Sequence, residues 1–212
     1  MHITEKLIKL YRKRKQEIES RLREFRKVRN RSEKDVFSEL CFCILTPQSS
    51  AHTCGCIIKK MQDSRILFSG TPGQIRPYLK NARFYKNKTK YLIEARRMFS
   101  RNGRISIKNR LDIENIEQTR EWLVKNVKGI GYKEASHFLR NIGLGENLAI
   151  LDIHILRKLK ETGVIRDIPK TLTRKKYLEI EKKLRGFSGK IKIPVSHLDL
   201  LFWSAETGNI YK

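Results

Sequence analysis

Apolar positions recur along most of this chain at steps of three and four residues, the spacing that lays a stripe down one side of a helix. Leu7, Leu10, Tyr11, Ile18, Leu22 and Phe25 form such a stripe between Met1 and about Asn30, with Arg12, Lys13, Arg14 and Lys15 opposite. A second helix, about Asp35 to Leu45, is apolar enough to be central, and Pro47 discourages its continuation through Thr46. Helices follow over Ala51 to Met61, Gln74 to Leu79, Phe84 to Phe99 and Asp112 to Lys125, with turn signals at Ser69 to Gly73 and a loop over Gly103 to Asn109. Ala135, Phe138, Leu139 and Ile142 mark another helix, and one more runs from Asp152 to about Lys160. Pro169 and Thr171 introduce a helix to Arg185 that Gly186-Phe187-Ser188-Gly189 should break, and a last helix spans about Val195 to Ala205. Alternation of period two is nearly absent and no internal repeat is present, so the expected fold class is all-α.

Charge narrows the partners. Across 212 residues, 47 Lys and Arg face 22 Asp and Glu, a formal net charge of +25. Such an excess raises affinity for polyanions and points to nucleic acid. No apolar run is long enough for a membrane span and no signal-peptide pattern appears, so a cytoplasmic protein with no membrane partner is expected. The four cysteines, Cys41, Cys43, Cys54 and Cys56, form two Cys-X-Cys pairs. Zinc sites use wider spacing, and both pairs sit in apolar helical context, so all four read as buried thiols and no metal is expected.

The chemistry gathers around Lys128-Gly129-Ile130-Gly131-Tyr132-Lys133, a glycine-flanked turn between two helical patterns. Such a turn frees the backbone for positive φ and presents the unpaired N–H groups of a new helix, which suits a phosphate. Gly-X-Gly turns also close ordinary helix pairs. Lys133 falls in the first turn of the second helix, where the dipole and the cations Lys128 and Arg140 should disfavour a proton on its amine. Nineteen residues on, Asp152 stands at a helix start, and His154 follows. Singly, Lys133 reads equally well as a phosphate-binding lysine, Asp152 as an N-cap, and His154 as a core or phosphate residue.

Together, Gly129-X-Gly131-X-Lys133 and Leu151-Asp152-Ile153-His154 resemble the helix-hairpin-helix DNA glycosylase superfamily, in the bifunctional branch that has a catalytic lysine. Many members place Pro where this chain has Lys128. The ending, with Lys212 nine residues after Trp203, resembles the compact 8-oxoguanine DNA glycosylase/lyases of archaea and some thermophilic bacteria.

The resemblance implies two helical lobes with the helix-hairpin-helix at the cleft between them. Residues 33–148 would form the central lobe, and residues 1–32 with 149–212 the second. It implies Lys133 as the nucleophile on C1′, Asp152 as the stabilising carboxylate, and Schiff-base chemistry with β-elimination. Gly129, Gly131 and His154 would bind phosphate, and Trp203 and Lys212, including a terminal carboxylate, would recognise the oxidised purine. Gln48, with His52 second, would fill the gap left by an extruded nucleotide; Gln48 reads equally as a cap for the following helix. Relatives with an iron–sulfur cluster need four cysteines near the C-terminus, and none follows Cys56, so no cofactor is expected. The implied partner is double-stranded DNA containing oxidised guanine, bound by a monomer. An oxidised-pyrimidine glycosylase and a non-catalytic DNA-binding module are the alternatives.

Overall fold

The structure, a computed structural model, describes residues 3–210. Its helices are α1 (Ile3–Arg29), α2 (Glu33–Leu45), α3 (Ala51–Asp63), α4 (Ile66–Ser69), α5 (Pro72–Ile75), α6 (Tyr85–Met98), α7 (Ile116–Asn126), α8 (Tyr132–Asn141), α9 (Ile153–Glu161), α10 (Arg174–Ile191) and α11 (Val195–Thr207), with short 3-10 turns at Arg76–Leu79 and Lys108–Arg110. Among the described residues the fold is all-α apart from one small antiparallel ribbon, β1 (Ser100–Arg101) and β2 (Arg104–Ile105). Its turn uses Asn102 and Gly103, both at positive φ (49° and 72°), the geometry of a tight hairpin. Two-residue strands leave no alternation to read, so the expected loop over Gly103 to Asn109 conceals it.

Local chemistry starts the helices. Ser32 Oγ accepts from the Asp35 N–H while the Asp35 carboxylate accepts from the Ser32 N–H, a capping box for α2. Beyond that cap nearly every residue of α2 is buried, and the helix packs against α3, α6 and α8.

Buried apolar side chains fall into two clusters. One joins Phe37, Leu40 and Phe42 of α2 to Met61 of α3, Leu92 of α6 and Phe138 and Leu139 of α8. The other joins Ile18, Leu22 and Phe25 of α1 to Leu159 of α9, Ile180 of α10 and Leu198 and Phe202 of α11. The chain passes from the first to the second between Leu148 and Ala149, just ahead of Asp152.

Two expectations are corrected here. Helix α10 begins after Thr173, whose hydroxyl accepts from the Lys176 N–H, and it runs straight through Gly186 and Gly189 to Ile191. Each glycine costs about 1 kcal/mol in a helix interior, a penalty offset by burial of Tyr177, Ile180 and Leu184 on the same helix. Of the cysteines, Cys41, Cys43 and Cys54 are buried but Cys56 is exposed, because α3 is a surface helix and Cys56 lies off its apolar face. Among the described residues no helix is long and apolar enough to cross a membrane.

Candidate active site

The hairpin between α7 and α8 is fixed by its first glycine. Gly129 has φ of +83°, and a Cβ there would lie 2.6 Å from Cδ2 of Tyr91 on α6, so any side chain meets both strain and an aromatic ring. Gly131 is different: its backbone is extended (φ −101°, ψ −173°), and its N–H donates to Oε2 of Glu134 at 3.2 Å. That amide, expected to be open for a phosphate, is therefore held by the helix's own third residue. Oε1 of the same carboxylate lies 3.3 Å from Nζ of Lys133. Glu134 thus touches both the hairpin and the amine next to it.

Beside the hairpin opens a cavity of about 870 Å³ that brings together Lys133, Asp152, His154, Trp203, Gln48 and His52. Gly129 and Gly131 are outside its lining, and Lys212 lies outside the described residues. Asp152 caps α9, its Oδ1 accepting from the Ile155 N–H at 2.8 Å, so the helix start fixes the carboxylate. The His154 ring stands edge-on to Trp203, with centroids 5.2 Å apart and planes at 90°. Its Nδ1 is buried with no hydrogen-bond partner among the described residues.

In the same lining, Gln48 adopts a left-handed backbone (φ 53°), an arrangement that persists only where its surroundings enforce it. The enforcing group is buried Lys88 of α6, whose ammonium donates to the carbonyls of Leu45 (2.6 Å) and Pro47 (2.8 Å) and to the Ser49 hydroxyl (2.9 Å). Burial holds the Lys88 amine below the usual lysine value. The cap of α3 is Ser50, which accepts from the Thr53 N–H, so the capping reading of Gln48 is set aside. Phe84, which begins α6, is also left-handed (φ 58°) and exposed.

The lining also includes Asp199 and His137, which the sequence does not single out, and Arg140, expected beside Lys133. The Asp199 carboxylate lies 3.5 Å from the Arg140 guanidinium, both largely buried. Burial, with the Asp152 charge adding, pushes Asp199 up to about 6, against the pull of Arg140 and Lys133. Asp199 sits four residues before Trp203, on the same face of α11, and that spacing was the available signal. The cations expected to crowd Lys133 are placed otherwise: Lys128 pairs with Glu94 at 3.3 Å on the exposed side, and Arg140 faces Asp199. Outward projection of the hairpin frees Lys128 to find a partner on α6.

Because Asp199 ionises later in the folded chain than its ordinary value of 3.8, the folded state holds the extra proton between the two values. This group's contribution to stability therefore falls as pH rises from 3.8 to about 6 and stays reduced above. Carbon-13 titration of its carboxyl should give a midpoint near 6; a midpoint near 3.8 would show that the cavity leaves it unperturbed.

The comparisons with known proteins agree with one another. A family model described as 8-oxoguanine DNA glycosylase matches residues 18–193. A protein of Fusobacterium nucleatum named 8-oxoguanine DNA glycosylase/AP lyase is 45% identical over 206 residues, covering 96% of this chain and 95% of that one. A Methanocaldococcus jannaschii protein of the same name is 43% identical over 201 residues, covering 92% and 91%. The crystal structure of 8-oxoguanine DNA glycosylase from that archaeon superposes with a TM-score of 0.87 at 41% identity, covering 99% of this chain and 96% of the other. The archaeal glycosylase/lyase in complex with a 15mer DNA containing 8-oxoguanine gives 0.86 at 41% identity, covering 97% and 99%.

Proposed function

The chain belongs to the 8-oxoguanine DNA glycosylase family, and from that membership we propose that it excises 8-oxoguanine from DNA and nicks the strand, with Lys133 as nucleophile and Asp152 as its electrostatic partner. The observation that carries the reading is one cavity lined by the amine, the carboxylate and the Trp203 ring. The amine lone pair of Lys133 attacks C1′ as the glycosidic bond breaks and its electrons leave with the base. The Asp152 charge stabilises the positive character that develops on the sugar. Ring opening gives a Schiff base; loss of a C2′ proton then expels the 3′ phosphate by β-elimination.

Extruding a nucleotide costs a few kcal/mol, which backbone contacts must offset. In this reading the hairpin at Gly129 and the imidazole of His154 supply them, while Gly131 contributes only once its amide leaves Glu134. Trp203 offers a ring face to the purine, and Gln48, braced at the rim, is the group that enters the vacated stack, with His52 beside it. Apart from Val28 of α1, which packs in the first, the two apolar clusters support a division into residues 33–148 and residues 1–32 with 149–212.

Duplexes carrying 8-oxoguanine, an oxidised pyrimidine or no lesion separate the readings without added cofactor. Release of 8-oxoguanine with strand nicking is expected; pyrimidine release alone, or binding without cleavage, would sink the proposal.

A further inference from the structure

The elements that deliver Lys133 and Asp152 are joined by a buried polar cluster that the reaction above does not use. Arg120 of α7 is 1% exposed and Glu181 of α10 is 2% exposed. Two guanidinium nitrogens of Arg120 donate to the two oxygens of Glu181, at 2.6 and 2.9 Å. One of them also donates to the hydroxyl of Ser136, three residues after Lys133 on α8, at 3.2 Å. The guanidinium stacks over the ring of Tyr132, the residue before Lys133, at 5.4 Å.

The other end of the cluster holds the approach to Asp152. Glu181 Oε2 accepts from the Ala149 N–H at 2.8 Å. The Tyr177 hydroxyl donates to the Ala149 carbonyl at 2.6 Å and accepts from the Leu151 N–H at 3.3 Å. The strand of chain entering Asp152 is therefore pinned to α10, and α10 is pinned through Arg120 to the helix that carries Lys133.

A buried ion pair is a poor source of stability, because desolvating two charges consumes most of their attraction, but it fixes geometry through a rigid, bidentate fork. We propose that Arg120, Tyr177 and Glu181 are positioning residues, a clamp that sets the separation and bearing of the Lys133 amine and the Asp152 carboxylate. The proposal rests on the reading of those two groups as the reacting pair.

The test is single-turnover borohydride trapping on an 8-oxoguanine duplex, with duplex affinity and thermal melting measured in parallel. The double variant Arg120→Met/Glu181→Leu leaves neither partner of this pair as an unmatched buried charge, and Tyr177→Phe removes one hydroxyl alone. A displacement of about 1 Å costs roughly a hundredfold in rate, so trapping should slow by about ten- to a hundredfold in the double variant while affinity changes by less than about threefold. A folded double variant that traps at the wild-type rate, or one whose whole loss appears as weaker binding, overturns the clamp. Should the double variant fail to fold, Tyr177→Phe decides alone: slower trapping with unchanged affinity supports the clamp, and unchanged trapping overturns it. Lys133→Gln is the control that keeps the two ideas apart, since trapping by that variant would overturn the nucleophile assignment and the clamp with it.

Discussion

Lys133→Gln is expected to lose the borohydride-stable cross-link to lesion-bearing DNA altogether and to release 8-oxoguanine at least about a thousandfold more slowly, the scale on which removal of a nucleophile is felt. Glutamine nearly preserves the length and polarity of the side chain, and it can still meet Glu134 Oε1, which lies 3.3 Å from the lysine nitrogen. What it lacks is an amine lone pair to attack C1′. Duplex affinity should fall only slightly, since one positive charge is removed from a chain of +25. Cross-linking by the variant at wild-type yield would move the nucleophile elsewhere.

Asp152→Asn should slow the chemical step by about 10²- to 10⁴-fold without unfolding the protein. The distinction is available because Asp152 has two jobs. Its Oδ1 caps α9, and asparagine caps as well as aspartate, so stability should change by less than about 0.5 kcal/mol. Asp152→Ala loses the cap too and should cost about 1 kcal/mol more. A second effect identifies the missing charge: Asp152 is among the groups that raise Asp199, so Asp199 should titrate lower in the asparagine variant. Full activity in Asp152→Asn would reduce the residue to a helix cap.

Much of this arrangement was legible in the sequence because it is local. The Gly-X-Gly turn, the lysine after it and the aspartate at a helix start each follow from spacing and capping chemistry, and all three occupy the expected elements. Long helices such as α1 and α6 announce themselves by their stripes. Features decided by tertiary packing were not legible. Nothing around Gly186 and Gly189 says that α10 continues, since what sustains it is burial against residues far away in sequence. The Arg140–Asp199 pair joins positions 59 residues apart, and no local pattern links them. The left-handed backbone of Gln48 depends on Lys88, forty residues later, reaching back to three acceptors. A helix start offers amides, which suits Gly131 to a phosphate; that its own Glu134 claims one of them depends on a rotamer.

That last contact has a bearing on how the protein searches DNA. The Gly131 amide already holds a tethered rival for any phosphate, at an effective concentration no free anion matches. On the phosphate role proposed for Gly131, an incoming backbone gains the donor only by displacing a carboxylate whose other oxygen lies 3.3 Å from the neighbouring amine. On that role, undamaged duplex, which offers little in return for the exchange, should be held more loosely than the bare charge of the chain would dictate.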